Sequence, residues 1–293
     1  MIYLDNAASA PVLDCALSAA EPFLRDCWGN PSSIHTEGRR AALALIEARE
    51  KCARAIGAAP EEILFTSGGT ESDNMALKSA ALAGWEQGRR RIVTTAVEHP
   101  AVLESCRALE RFGFVVDYLP VDSGGYMSAE RAREFITPDT ALVTVMTANN
   151  EVGAVQPIHE IAALCRERGV LFHTDAVQAA GMIPLDVNDI GCDMLSISAH
   201  KLGGLRGAGL LYCRRGIPVN PLLNGGGQEN GLRSGTENTA AIAAMGAAME
   251  YACRDIPGKS AAMSEVRDRL ISLLTEIPGS RLNGGESPRL CET

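Results

Sequence analysis

Seven short runs of apolar, β-prone residues, spaced along the chain with helical patterns between many of them, constrain this sequence most. They are Ile63-Thr66, Ile92-Thr95, Phe114-Tyr118, Leu142-Met146, Val170-Thr174, Met194-Ser198 and Gly209-Cys213. Several are apolar throughout rather than alternating, the pattern of strands covered on both faces. Helical patterns over Thr36–Ile56, Glu71–Gln87, Pro100–Phe112 and Ile158–Arg168 lie between them. An α/β layout with a mostly parallel sheet follows. With 293 residues, 46% of them hydrophobic, the chain can bury one large core, with room for a smaller attached unit.

Beyond Cys213 the pattern changes. Gly225-Gly226-Gly227 opens a loop, Thr236–Arg254 reads as a helix, Ile256-Pro257-Gly258 reads as a break, and Lys259–Thr275 as a further helix. The expected organisation is an N-terminal segment over 1–15, a large domain over 16–254, and the start of a smaller domain over 255–293.

Composition excludes several classes of function. The net charge of −9 argues against binding a nucleic-acid backbone, and Arg89-Arg90-Arg91 reads as a solvated strand entrance. The N-terminal residues lack a signal peptide's basic and apolar regions, and the apolar helix near Ala240–Ala248 is too short to span a bilayer. Nine cysteines with no C-x-x-C pair indicate neither a disulfide scaffold nor a zinc site. A cytoplasmic protein with reduced thiols and no metal is expected. Gly258-Lys259-Ser260 has the tail of a nucleotide P-loop, but Cys253 stands where its first glycine belongs.

Ligands of open α/β sheets bind beyond the carboxyl ends of the strands, and every unusual cluster here falls at such an end. After Ile63-Thr66 comes Ser67-Gly68-Gly69-Thr70-Glu71-Ser72, either a phosphate cradle at a helix start or an ordinary helix cap. After Ile92-Thr95 comes Glu98-His99-Pro100, where His99 either caps a helix or offers an imidazole to a site. Asn149-Asn150-Glu151-Val152-Gly153 is either a turn or a pair of amides facing a ligand. Asp175 at the end of Val170-Thr174 is a carboxylate that burial would penalise unless a cation pairs with it, whereas His173 reads as a core residue. Ser198-Ala199-His200-Lys201 ends the next strand and leads into the glycines 203–207. A lysine partly desolvated there is a potential Schiff-base nucleophile. No metal-ligand cluster or Ser-His-Asp spacing competes.

These motifs stand in the order of one family. Tyr3-Leu4-Asp5-Asn6-Ala7-Ala8, Gly29-Asn30-Pro31-Ser32-Ser33, Thr66–Asn74, Glu98-His99, Asn149–Gly153, His173–Gln178, Ser198–Lys201 and Arg233-Ser234-Gly235-Thr236 together resemble cysteine desulfurases of the NifS/IscS type. That family belongs to the class V aminotransferase group of fold-type I pyridoxal 5'-phosphate enzymes. The resemblance implies a three-layer fold with a mostly parallel central sheet and a small C-terminal domain. It implies that Lys201 anchors pyridoxal 5'-phosphate as a Schiff base and that Asp175 pairs with the pyridine nitrogen. Gln178 and Asn150 would bond the ring oxygen region, and His99 would stack on the ring and assist proton transfer. Gly69, Thr70, Ser198 and His200 would hold the phosphate, joined by Thr236 from the partner subunit of a homodimer.

The implied reaction converts L-cysteine to L-alanine and leaves sulfane sulfur on an enzyme cysteine, from which a sulfur-acceptor protein collects it for iron–sulfur cluster or thiocofactor assembly. The family's nucleophilic cysteine and its arginine for the substrate carboxylate lie in a C-terminal segment, and neither can be assigned to a residue here. Domain sizes of this layout predict roughly a hundred further residues, so the chain reads as C-terminally truncated. Cys291 is expected to be incidental. A selenocysteine lyase, a cysteine sulfinate desulfinase and a non-catalytic scaffold are the alternative readings.

Overall fold

The computed structural model describes residues 2–285 and 287–293. The chain enters through α1 (Asp14–Arg25) and α2 (Thr36–Ala55), then β1 (Ile63–Thr66), α3 (Gly69–Glu86), β2 (Arg91–Thr95) and α4 (Pro100–Glu110). It continues through β3 (Val115–Leu119), α5 (Ala129–Phe135), β4 (Thr140–Thr144), α6 (Ile158–Glu167), β5 (Leu171–Asp175) and the single turn α7 (Val187–Ile190). The remaining elements are β6 (Met194–Ser198), β7 (Gly209–Cys213), α8 (Thr239–Ala252) and α9 (Ile256–Thr275). The seven strands form one sheet in the order β1-β7-β6-β5-β4-β2-β3. Only β7 runs against the others, pairing antiparallel with both β1 and β6.

Period-two alternation explains the wholly apolar strands. Leu64, Ile92, Leu142, Met194 and Leu211 point to one face, where Met75, Leu77 and Ala80 of α3 and Val102 and Cys106 of α4 cover them. Their neighbours Phe65, Val93, Val143, Leu195 and Leu210 point to the other, beneath α2, α6 and α8. The result is the expected helix–sheet–helix sandwich. Among the described residues, no helix is long and apolar enough to cross a membrane.

Three strands have the bounds read from sequence, and the other four shift by one or two residues. Ile256-Pro257-Gly258 is a correction. These residues form the first turn of α9, where proline is tolerated because its missing N–H has no acceptor there anyway. The interruption lies one residue earlier, at Asp255 (φ +53°), whose side chain caps α9 by accepting from Gly258 N at 3.2 Å. No helix is expected from sequence over 14–25, where Pro22 interrupts the pattern, yet α1 forms there and buries Ala16 and Ala20. Its apolar stripe of Ala16, Ala20 and Phe23 has helical spacing and packs against α8 and the core.

Backbone approaches set the layer spacing. A β-carbon on Gly84 of α3 would lie 2.3 Å from Ala141 Cβ and 3.2 Å from its Cα in β4. Ala141 is borne directly on the strand and cannot swing away. Gly84→Ala is therefore expected to lower stability by roughly 1–3 kcal/mol from overpacking, outweighing the gain of about 0.5–1 kcal/mol from helix propensity. A reduced urea midpoint at unchanged slope checks this; a midpoint at or above wild type would show that the helix can lift without cost.

Candidate active site

With β7 alone reversed, six strands end on the same edge of the sheet, and one cleft opens there. Gly69, Thr70, His99, Asn150, Asp175, Gln178, Ser198, His200 and Lys201 all line it, so nine of the ten residues singled out from the sequence come together. The tenth, Thr236, does not. It is exposed and lines a separate cleft with Thr66 and Ser67, on the far side of the β1–α3 turn.

The β1–α3 turn is placed by close backbone contact. A β-carbon on Gly209, the first residue of β7, would lie 2.6 Å from Gly68 Cα, and one on Gly69 would lie 2.7 Å from Val177 Cγ2. Glycine at these positions lets the start of α3 sit directly over the end of β6, where Ser198 pairs with Gly209. The first N–H groups of any helix lack intrahelical acceptors, so this start presents donors to an anion. Beside it, Ser198 Oγ and His200 Nδ1 are 2.8 Å apart. The His200 pKa is lowered by burial, and further by the charges of Lys201 and Arg206. Glu71 is fixed by Arg233 (2.9 and 3.2 Å) and accepts from Ser67 N (2.8 Å), tying the Thr236 loop to this helix start.

His99 takes both roles left open above. As N-cap of α4 its Nδ1 accepts from Ala101 N at 3.1 Å, so in the neutral ring the proton sits on Nε2, while the imidazole lines the cleft. The asparagines divide theirs. Asn149 is buried and structural, accepting from Glu151 N and Val152 N at 2.9 Å and donating to Val97 O at 3.0 Å. Asn150 faces the cleft, with its amide on Glu151 Oε1 at 3.0 Å. His173 is fully buried, as expected of a core residue, between Thr144 Oγ1 (2.8 Å) and Ser196 Oγ (3.0 Å). Burial pushes its pKa down to about 3, so it is neutral.

Lys201 closes a single 3₁₀ turn after β6. Its ammonium donates to Ala7 O, and Ala10 N and Leu13 N donate to His200 O and Gly203 O at 3.1 and 2.9 Å. The N-terminal segment thus lies along the lysine turn, and Gly203 (φ +79°) supplies the left-handed backbone that admits it. Desolvation lowers the Lys201 pKa, opposed by the carboxylates of Glu292, Asp175, Asp5 and Glu151. Asp175, 5% exposed, accepts from Val177 N at 2.8 Å. Its pKa is raised by burial, against the lowering effects of that N–H, His99 and Lys201. Gln178 donates to Glu292 Oε1 at 2.6 Å and leaves its own buried Oε1 without a partner.

Sequence reasoning did not single out Asp73, which lines the cleft from α3 at 1% exposure. Burial and the neighbouring Asp175 push its carboxyl upward. Its position inside α3, seven residues past the end of β1, gave no local signal. Glu98 is equally hidden: Oε1 accepts from Thr95 Oγ1 (2.7 Å) and Met146 N (3.0 Å), while Oε2 has no partner. Burial pushes its pKa up to about 8, against those two hydrogen bonds. A raised folded-state pKa contributes stability below the unfolded carboxyl range that is lost as pH rises toward 8. Glu98→Gln is expected to remove this slope, flattening stability between about pH 4.5 and 8 in urea melts. An unchanged slope would mean that Glu98 ionises freely.

The comparisons agree with this geometry. Residues 2–291 match the model of the family described as aminotransferase class-V. A cysteine desulfurase IscS of Dictyoglomus turgidum is 47% identical over 290 residues, covering 99% of this chain and 73% of the relative. A cysteine desulfurase IscS of Methanosarcina thermophila is 46% identical over 289 residues, covering 99% and 71%. Among solved structures, a NifS-like protein superposes with a TM-score of 0.95 at 41% identity, covering 99% of this chain and 80% of that one. A structure titled SspA in complex with cysteine gives 0.88 at 40% identity, covering 98% and 81%. A lysine, an aspartate and a helix start meeting at one sheet edge therefore have relatives over nearly the whole chain, and the chain belongs to the class-V aminotransferase family, among its cysteine desulfurases.

Proposed function

We propose that this chain is a pyridoxal 5'-phosphate-dependent cysteine desulfurase, converting L-cysteine to L-alanine and passing the sulfur to a protein thiol. The observation that carries the reading is the convergence of Lys201, Asp175, His99, Gln178 and the α3 start on one cleft from separate strand ends. The cleft also fits the cofactor chemically. Its floor holds a buried carboxylate suited to a cationic ring nitrogen, Gln178 offers an unpaired oxygen, and the glycine-lined helix start suits a phosphate.

When bound, pyridoxal 5'-phosphate supplies an aldehyde for amines and a ring that accepts electrons. Lys201 Nζ would be the amine that holds the aldehyde, and desolvation keeps more of it in the free-base form than an ordinary lysine has. The same nitrogen takes the α-proton of the substrate. Asp175 would hold a proton at the ring nitrogen, and His99, anchored through Nδ1, would face the ring and carry a proton on Nε2. Gly69, Thr70, Ser198 and His200 hold the phosphate, while Gln178 and Asn150 orient the ring oxygen side.

Among the described residues no cysteine lines this cleft. Burial pushes the thiols of Cys52, Cys106, Cys165, Cys192 and Cys213 up to about 12, where they stay protonated and poorly nucleophilic. We therefore assign the sulfur-accepting thiol to none of these five. Thr236 lies outside its own chain's cleft, which supports its assignment to the phosphate site of a second subunit in a homodimer. The exposed Trp28 and Ile34, flanking the Gly29–Ser33 motif, favour the same reading. Residues 16–254 would form the cofactor domain, 255–293 the start of a smaller one against which residues 1–15 pack, in a cytoplasmic protein that hands its sulfur to an acceptor protein.

The test is alanine formation from L-cysteine with a reductant present, beside the visible absorbance of lysine-bound cofactor. Lys201→Ala is expected to remove that absorbance and to lower turnover by at least about 10⁴-fold, since nucleophile and base are lost together. Absorbance unchanged in Lys201→Ala would overturn the anchor. Alanine formed only from selenocysteine or cysteine sulfinate, or from none of these by the cofactor-loaded protein, would overturn the desulfurase reading.

A further inference from the structure

Asp73 reaches the cleft floor from the second turn of α3, and its Oδ1 has no hydrogen-bond partner. A buried carboxylate without a partner is expensive unless it is neutral or meets a cation. Carboxylate oxygens of Asp73 and Asp175 and a ring nitrogen of His99 lie within 4.8 Å of one another. The other charged or titratable groups around the floor leave Asp73 itself without a cation. His173 Nε2, from β5, is 3.7 Å from Asp73 Oδ1 but belongs to a neutral ring already engaged with Thr144 and Ser196. Glu98, beyond β2, adds a further acid to the Asp73 side. The favourable charges of His99 and Lys201 act on Asp175. Two carboxyl groups at such a separation in a dry site do not both ionise readily; they titrate as a pair.

We propose that Asp73 and Asp175 form a carboxylate dyad that shares one proton and holds the cofactor's ring nitrogen as a cation. Asp73 is then a positioning residue, acting on the ring through Asp175. This rests on the cofactor reading above and adds to it a second acid. While the dyad keeps its proton, the floor carries one negative charge and tolerates burial. When that proton leaves, two negative charges face the ring nitrogen and hold its proton more firmly, which maintains the ring as an electron acceptor at alkaline pH.

Pyridoxine 5'-phosphate tests the dyad, because it has the ring and phosphate but no aldehyde and cannot react with Lys201. Its ring protonation in complex with the full chain is read from ultraviolet absorbance across the neutral and alkaline range. Wild type is expected to show two proton losses, first from the dyad and then from the ring nitrogen. Asp73→Asn keeps the size and hydrogen-bond donor of a protonated Asp73. It should show one loss only, with the ring nitrogen titrating about one pH unit or more lower. A single-step titration in wild type, or coincident ring titrations in the two proteins, would overturn the dyad. The wild-type profile decides this even if the variant does not fold. Failure of the probe to bind wild type would instead overturn the cofactor reading beneath it.

Discussion

Covering both faces of a sheet leaves its strand ends as the place where polar chemistry can reach solvent, and this protein is organised by that constraint. The buried strands alternate apolar residues to two helical layers, so packed side chains fill both faces. Reversing only β7 keeps the carboxyl ends of the other six strands on one edge. The contact of Gly68 with Gly209 then brings the start of α3 against the ends of β1 and β6. Residues as far apart in sequence as Gly69 and Lys201 become walls of one cleft for this reason.

The second determinant is charge under burial. Asp73, Glu98 and Asp175 are all nearly inaccessible, and burial raises the pKa of each. The same desolvation lowers the pKa of Lys201. A carboxylate that burial leaves in want of a cation and an amine made reluctant to keep its proton suit a site that binds a cationic ring and attacks an aldehyde. The strand ends therefore do more than position groups; the burial of particular side chains there tunes them. The buried thiols show the same effect without the geometry, since they are raised beyond use and none lines the cleft.

Most of this site was legible before the fold, because its residues follow directly on the strands and strand ends can be read from apolar runs. Thr236 shows the limit of that reading, since its motif matches the family but its own chain holds it outside the cleft. Asp73 shows another: inside a helix, an aspartate looks like a solvated charge until the helix is docked. Asn149 and Asn150 are adjacent and chemically identical, yet only the turn decides that one makes backbone contacts and the other faces the cleft. The start of α9 was misplaced for a local reason, since a Pro-Gly pair serves the first turn of a helix as readily as a break between helices.

Sequence alone determined the α/β class, the strand positions to within two residues, and the lysine, aspartate, histidine and glycines of the site. Those features depend on local periodicity and on side-chain chemistry, which a linear reading contains. Tertiary structure decided which strand runs backward, that α1 forms on α8, and that Asp73 stands beside Asp175. It also decided the charge states of the buried groups. Each of these depends on distances and dielectric surroundings between segments far apart in the chain, and no local pattern encodes them.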